Sequence, residues 1–296
     1  MTEPIGLAPP PPEGASALPP ATFDGVAVLV TGAGTGLGKA IASEFARLGA
    51  SIVIASRKPE HLASGEEAIA ALGAPVRTVA CDIRDAEAIA AAFDAATDAF
   101  GLPQVLVNNA AANFPVPAEE MSPNAWRTVV DITLTGTYLC SREFARRHLG
   151  AGTRGSIVNV GASYAWTGGP GFAHSAAAKA GVKNLTETLA VEWGPHGIQV
   201  NGVVPGLVPH QDMTADIQSN LKALDDKADR QPAMRVGTPR ELGWAATFLA
   251  SPYGAFISGH TLVVDGANWQ RRTLTNPPVE TVRDQMGLGP FTAPEV

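Results

Sequence analysis

Four glycines within seven residues follow the first strongly apolar segment of the chain. The apolar segment spans 26–30, the glycine loop spans 31–38 (Thr-Gly-Ala-Gly-Thr-Gly-Leu-Gly), and a stretch with helical periodicity follows at once. Glycines at such a turn let backbone N–H groups approach a pyrophosphate at the N-terminus of a helix, although purely structural turns use glycine too. A second apolar segment at 51–55 completes the strand, helix and strand order of a dinucleotide-binding fold. The loop therefore predicts that a dinucleotide contacts Gly32, Thr35, Gly36 and Leu37.

Short segments rich in valine and isoleucine alternate with alanine-rich segments along most of the chain. The predicted strands are 26–30, 51–55, 76–80, 105–107, 156–160, 199–204 and 261–264, and the predicted helices are 36–48, 60–72, 85–100, 122–149, 175–194 and 239–250. Continuous apolar runs are typical of strands that are buried on both faces of a parallel sheet. The alternation predicts one α/β domain over 23–269, with a Rossmann-type, doubly wound parallel sheet of about seven strands.

The two ends of the chain differ in composition from this domain. The first 22 residues contain seven prolines and few groups able to pack, so a disordered proline-rich tail is predicted for 1–22. Residues 270–296 mix prolines and glycines without clear periodicity and are predicted to form a C-terminal arm.

Charge and cysteine content exclude several classes of function. Acidic residues outnumber basic ones 28 to 21, and the net charge of −7 argues against binding of nucleic acid or an anionic membrane. No apolar run reaches the length of about 18 residues that a membrane span needs. The two cysteines, Cys81 and Cys140, are too far apart to indicate a metal site or a disulfide framework. A cytoplasmic protein without a metal is therefore expected.

The end of the second predicted strand indicates which dinucleotide is bound. A site for NAD usually places a carboxylate there on the ribose hydroxyls, but residues 55–58 read Ala-Ser-Arg-Lys and contain no acid. The guanidinium of Arg57 suits the 2′-phosphate of NADP, because arginine binds phosphate through two parallel hydrogen bonds. A solvated loop arginine is the alternative, and the prediction is NADPH.

Four motifs that occur in order over residues 24–268 resemble those of the short-chain dehydrogenase/reductase family. They are the glycine loop, Cys81-Asp82-Ile83, Asn108-Asn109-Ala110-Ala111 and Pro205-Gly206. The resemblance implies that Asp82 and Ile83 hold the adenine and that the backbone of Asn109 and Ala110 lines the cofactor. It also implies that Pro205, Gly206 and Leu207 close over the nicotinamide.

The predicted catalytic centre departs from the common pattern of that family. Most members carry Tyr-x-x-x-Lys on the long helix after the fifth strand, whereas Ser175 lies four residues before Lys179. Ala162 stands where the usual catalytic serine would fall, and Thr133 stands where a helix asparagine is common. A tyrosine is nevertheless available at Tyr164, 15 residues before Lys179.

This arrangement is similar to that of the 2,4-dienoyl-CoA reductases. Two further segments resemble the same subgroup, namely Asn113-Phe114 and the helix start Ser-Pro-Asn-Ala-Trp at 122–126. The resemblance implies that Tyr164 and Asn113 donate hydrogen bonds to the thioester oxygen of an acyl-CoA substrate and that Lys179 binds the nicotinamide ribose. For Ser175 two roles remain open: its hydroxyl contacts the substrate or Tyr164, or it is a small residue that only makes room.

The expected reaction is NADPH-dependent reduction of a 2,4-dienoyl-CoA to a 3-enoyl-CoA, an auxiliary step of fatty-acid β-oxidation, in a homotetramer. An enoyl-CoA or 3-oxoacyl thioester remains open as a substrate. A catalytically silent NADP-binding scaffold remains open as well.

Overall fold

The structure, a computed structural model, describes residues 6–210, 231–270 and 286–288. It contains strands β1 (Ala27–Thr31), β2 (Ser51–Ser56), β3 (Val76–Ala80), β4 (Val105–Asn108), β5 (Gly155–Val160), β6 (Ile198–Pro205) and β7 (Thr261–Val264). They form one parallel sheet in the order β3-β2-β1-β4-β5-β6-β7. The predicted doubly wound sheet of seven strands is confirmed, and its order reverses between β1 and β4, where such sheets bind nucleotides.

Helices cover both faces of the sheet because alternate strand residues point to opposite sides. The helices are α1 (Gly36–Arg47), α2 (Pro59–Ala70), α3 (Ala86–Phe100), α4 (Pro123–Val130), α5 (Gly136–Ala151), α6 (Tyr164–Thr167), α7 (Ala173–Trp193) and α8 (Pro239–Ala250). Val28 and Val30 pack with α1, α2 and α8 in one buried cluster. Leu29, between them, packs with α3, α5 and α7 in a second cluster.

The predicted helix over 122–149 is present but contains a π turn at Asp131–Thr135 that joins α4 to α5. Thr133 lies in this turn and is fully buried. Its hydroxyl accepts a hydrogen bond from the Ala112 amide at 3.2 Å and lies 3.4 Å from the Ala112 carbonyl, to which it donates. The π turn thus fixes the loop that follows β4.

The proline-rich segment contacts the domain over the part that the structure describes. The amide of Leu7 donates to the Ala233 carbonyl at 2.9 Å, and the carbonyls of Ala8 and Ala15 accept hydrogen bonds from Arg235 Nε and Trp244 Nε1. The sequence predicts that residues 1–22 lie outside the fold. In the described part of this segment, the backbone groups of Leu7, Ala8 and Ala15, which lie between the prolines, form hydrogen bonds with the domain.

The predicted C-terminal arm lies mostly outside the described residues, which include only 270 and 286–288 of it. Among the described helices, none combines the length and the apolar content that crossing a membrane would need.

Candidate active site

The glycine loop lies at the carboxyl end of β1 and is held in place by Asn109. The Asn109 side-chain amide donates to the carbonyls of Thr31 and Gly32 at 3.0 and 3.1 Å, and its backbone amide donates to the Thr31 hydroxyl at 3.1 Å. Gly32 and Gly36 adopt positive φ angles of 66° and 55°, a conformation that favours glycine. The loop therefore needs Gly32, Gly36 and Asn109 to keep this shape.

A cavity of about 340 Å³ opens beside this loop. Nine of the predicted cofactor residues line it: Gly32, Thr35, Gly36, Leu37, Arg57, Asp82, Ile83, Asn109 and Ala110. Lys58 and His61 line the same cavity and were not among the predicted residues. Their position directly after Arg57 and at the start of α2 is the signal that could have found them.

The residues predicted to close over a nicotinamide lie beside a different, smaller cavity. Pro205 ends β6, and the Gly206 amide donates to the Val264 carbonyl at 3.0 Å. Gly206 and Leu207 line a cavity of about 50 Å³ together with Leu7. The structure therefore places these residues at the carboxyl end of β6, outside the lining of the larger cavity.

The charges at the end of β2 are arranged so that Arg57 stays accessible. Asp82 binds Arg84 through both carboxylate oxygens, with Nε and Nη2 at 3.0 and 2.5 Å, whereas Arg57 Nη1 lies 3.9 Å away. The hydrogen bonds from Arg84 lower the pKa of Asp82 to about 2. The side chain of Arg57 is 50% exposed. Because Arg84 already neutralises Asp82, the Arg57 guanidinium can bind an incoming anion.

The hydroxyl of Tyr164 contacts two polar side chains, Ser175 and Asn113, and the three residues come from separate segments. Tyr164 begins α6 after β5, Ser175 lies in the first turn of α7, and Asn113 lies in the loop after β4. The Tyr164 oxygen is 3.0 Å from Ser175 Oγ, and Asn113 Nδ2 donates to it at 3.4 Å. Burial raises the pKa of Tyr164, so the phenol keeps its proton and remains a donor at neutral pH. The structure thus brings together three of the four predicted catalytic residues.

Lys179, the fourth predicted catalytic residue, lies one helical turn beyond Ser175 on α7. Its side chain is buried, and its Nζ donates to the Val160 carbonyl at 2.5 Å. Burial lowers the pKa of Lys179 to about 8. No acidic side chain among the described residues forms an ion pair with it. Lys179 lines a cavity of about 10 Å³ together with Trp166 and lies outside the lining of the cavity beside the glycine loop.

Aromatic rings surround this polar cluster. The Phe172 ring is stacked parallel to the Tyr164 ring, with centroids 6.3 Å apart. The Trp166 ring stacks on Trp269 at 5.3 Å, and Phe114 meets the His174 imidazole edge-on at 4.7 Å. The contacts of Trp269 and His174 were not predicted, because a sequence pattern does not show which rings meet across the fold.

The sheet, the glycine loop and its cavity define a dinucleotide-binding α/β protein. A family model described as Enoyl-(Acyl carrier protein) reductase matches residues 32–267. A protein of Bacillus subtilis named "Probable 2,4-dienoyl-CoA reductase, (2E)-enoyl-CoA-producing" is 39% identical over 244 residues, which are 82% of this chain and 96% of that protein. The chain belongs to the short-chain dehydrogenase/reductase family and is an oxidoreductase.

Two further relatives bear on substrate and cofactor. The peroxisomal 2,4-dienoyl-CoA reductase, (3E)-enoyl-CoA-producing, of Rattus norvegicus is 38% identical over 252 residues, 83% of this chain and 84% of that protein. A solved structure from Agrobacterium tumefaciens with bound NADP has a TM-score of 0.77 and 34% identity, covering 86% of this chain and 99% of that one.

The family fold implies a nicotinamide cofactor, and the residues at the glycine loop fit one. At its glycines the loop presents backbone without side chains to the cavity, and Arg57 and Lys58 add positive charge to the same lining, as a dinucleotide needs.

Proposed function

We propose that the protein reduces 2,4-dienoyl-CoA thioesters to 3-enoyl-CoA with NADPH, as an auxiliary step of fatty-acid β-oxidation. The observation that carries the proposal is the cluster in which Asn113 and Ser175 meet the Tyr164 hydroxyl near Lys179. Similarity to relatives named 2,4-dienoyl-CoA reductases supports the substrate class.

The chemistry of the proposed reaction requires a site that stabilises an anion. The cavity beside the glycine loop would hold the nicotinamide cofactor, which would supply a hydride for C5 of the dienoyl chain. As C5 gains this hydride, the electron pair of the C4–C5 double bond would move through the conjugated system to the thioester oxygen. Tyr164 and Asn113 then donate hydrogen bonds to this oxygen, and each such donor contributes on the order of 10²–10³ in rate. Lys179 binds the nicotinamide ribose and adds positive potential. A proton from water at C2 gives the 3-enoyl thioester.

The position of the tyrosine favours this reaction over reduction of a 3-oxoacyl thioester. Reduction of a carbonyl needs a proton donor on the oxygen of the carbon that receives the hydride, and the common family pattern supplies a tyrosine four residues before the lysine. Ser175 occupies that position here. Tyr164 approaches from the end of β5 instead, which suits an oxygen that lies several bonds from the carbon that is reduced.

NADPH is the proposed cofactor because Arg57 is an accessible cation beside the cavity. The carboxylate of Asp82 is occupied by Arg84, so it does not repel a 2′-phosphate as a free acid would. Lys58 lines the same end of the cavity and adds a second positive charge. NADP is bound in a related structure, which supports the same choice.

A homotetramer in the cytoplasm completes the proposal. Trp126, Tyr138 and Val191 are large apolar side chains that α4, α5 and α7 leave exposed. Exposed apolar side chains on helices can be covered by a second copy of the chain. Cys81 and Cys140 are both buried and free, as expected for a reducing compartment.

The decisive experiment is a turnover assay with dienoyl-, enoyl- and 3-oxoacyl-CoA esters and either NADPH or NADH, with the product double bond located by NMR. We expect turnover of the dienoyl esters with NADPH and a 3-enoyl product. A 2-enoyl product would instead place the proton at C4, and turnover of 3-oxoacyl esters alone would contradict the proposed substrate. Binding of NADPH without turnover of any ester would instead indicate a catalytically silent NADP-binding scaffold.

A matched pair of tyrosine variants tests the role of the phenol. Tyr164→Phe removes one donor to the thioester oxygen, so kcat should fall by about 10²–10³ while NADPH affinity stays within roughly twofold. Tyr253→Phe removes the hydroxyl of an exposed tyrosine and should leave kcat unchanged. A fully active Tyr164→Phe enzyme would contradict the mechanism.

A further inference from the structure

The first turn of α7 is capped in an unusual way. The residue before this helix is Phe172, whose side chain cannot accept a hydrogen bond, although serine, threonine, aspartate or asparagine usually caps such an end. The Ser175 amide is instead bound by the side chain of His174, with Nδ1 as acceptor at 2.7 Å. The Ser175 amide, which would otherwise lack a partner at the N-terminus of α7, therefore donates its hydrogen bond to the side chain of the preceding residue.

His174 also connects the two segments that supply partners to the Tyr164 hydroxyl. Its ring is fully buried and meets the Phe114 ring edge-on, with centroids 4.7 Å apart and an interplanar angle of 80°. Phe114 directly follows Asn113, and Ser175 directly follows His174. One imidazole thus lies between the loop that carries Asn113 and the helix turn that carries Ser175.

The hydrogen bond fixes the protonation state of the imidazole. Nδ1 accepts a hydrogen bond from the Ser175 amide, so this nitrogen carries no proton, the ring proton resides on Nε2 and the ring is neutral. Burial lowers the pKa of His174, and a charged ring would place a positive charge at the positive end of α7. Among the described residues, Nε2 has no hydrogen-bond partner. The ring is therefore held by the Ser175 amide, by a polar contact with the Phe172 backbone and by packing.

We propose that His174 is a positioning residue whose Nδ1 holds the Ser175 turn, and whose ring holds the Asn113 loop, against the Tyr164 hydroxyl. The inference rests on the proposed function, in which that hydroxyl stabilises the thioester oxygen. His174 itself does not touch the substrate, because its ring is 0% exposed.

Three substitutions separate the atoms of the imidazole. His174→Asn keeps an acceptor at the place of Nδ1, His174→Gln places a polar group near Nε2 but removes that acceptor, and His174→Phe keeps the ring alone. We expect kcat for a 2,4-dienoyl-CoA to fall by about 3- to 30-fold in the Gln and Phe variants, the effect of a lost helix cap. His174→Asn should recover most of this loss, and the Kd for NADPH should stay within about twofold in all three.

A double-variant test distinguishes positioning from general destabilisation. If His174 acts through the Tyr164 hydroxyl, His174→Phe should cost little further activity in an enzyme that already carries Tyr164→Phe. Phe114→Leu, at a partly exposed ring, gives a second variant that should fold and should show the same dependence on Tyr164. Equal losses in both backgrounds, or a wild-type rate in His174→Phe, would overturn the inference. So would equal losses in His174→Asn and His174→Phe.

Amide hydrogen exchange of the first turn of α7 tests the contact without any turnover. The Ser175 amide should be protected in the wild-type protein and in His174→Asn, and should exchange about tenfold faster or more in His174→Phe. If the wild-type enzyme does not reduce dienoyl esters but this pattern holds, the proposed function fails and the positioning contact stands. Dienoyl turnover together with unchanged exchange in His174→Phe would refute the contact and leave the proposed function intact.

Discussion

Replacing Lys179 with methionine should change how the stability of the protein depends on pH. The buried amine has a pKa of about 8 in the folded protein, against 10.5 for an exposed lysine. Since one pKa unit corresponds to about 1.4 kcal/mol, this difference of about 2.5 destabilises the folded state by about 3 kcal/mol when the amine is charged in both states. The source of the cost is removal of the ammonium group from water.

The sign of the effect follows from the two pKa values. The penalty is fully present below about pH 8, and it disappears as the pH approaches 10.5, where the unfolded chain also loses the proton. Lys179→Met removes the titration, and it also removes the hydrogen bond to the Val160 carbonyl, which costs about 1–2 kcal/mol at every pH. The free energy of unfolding of the variant minus that of the wild type should therefore decrease by about 2–3 kcal/mol from pH 7 to pH 10.

Urea unfolding at pH 7 and pH 10, without nucleotide and at one protein concentration, measures this change. Lys183→Met is the matched control, because Lys183 lies one turn further along α7, where it forms a surface ion pair with Glu187. Loss of that pair should change the corresponding difference by less than about 1 kcal/mol. If the difference for Lys179→Met is the same at pH 7 and pH 10, or increases with pH, burial does not lower the pKa of this amine.

Three further predictions concern cofactor, donors and assembly. Arg57→Ala should weaken NADPH binding by about 1.5–3 kcal/mol in a fluorescence titration and leave NADH binding nearly unchanged; equal weakening would contradict a 2′-phosphate contact. Asn113→Ala should lower kcat by about 10²–10³, and its effect combined with Tyr164→Phe should be less than additive because both donors serve one oxygen. Light scattering at micromolar concentration should give a tetramer mass that falls in Val191→Glu, whereas a monomeric wild-type protein would contradict the assembly.

The fold could be predicted almost completely because each strand of the sheet corresponds to a short segment of the sequence that is rich in apolar residues. Strands covered by helices on both faces are rich in apolar residues, and all seven predicted segments correspond to strands of the sheet, including the partly exposed β3 with its Arg77 and Thr78. The π turn at Asp131–Thr135 could not be predicted in this way. The π turn changes the backbone hydrogen-bond register without interrupting the apolar spacing. Its consequence, the hydrogen bond from the Ala112 amide to the Thr133 hydroxyl, is therefore visible only in the structure.

The candidate site could be predicted in part. The sequence order of a parallel sheet brings the carboxyl ends of β4 and β5 together, so Asn113 and Tyr164 could be expected at one edge. The role of His174 could not be predicted, because its contact with the Ser175 amide depends on the orientation of the ring, which the sequence does not specify. A count of prolines likewise does not reveal that the carbonyls of Ala8 and Ala15 accept hydrogen bonds from Arg235 and Trp244.

The electrostatics of the site explain why a tyrosine outside the usual position is chemically consistent with the proposed reaction. Burial raises the pKa of Tyr164, which makes the phenol a poor acid but leaves it a good hydrogen-bond donor. Such a group stabilises an enolate oxygen without transferring its proton, whereas reduction of a carbonyl would require the transfer. The lowered pKa of Lys179 allows its charge to respond to the groups that bind beside it. Because no proton has to leave Tyr164, hydride transfer and protonation become separate steps, and the carbon that water protonates sets the position of the remaining double bond.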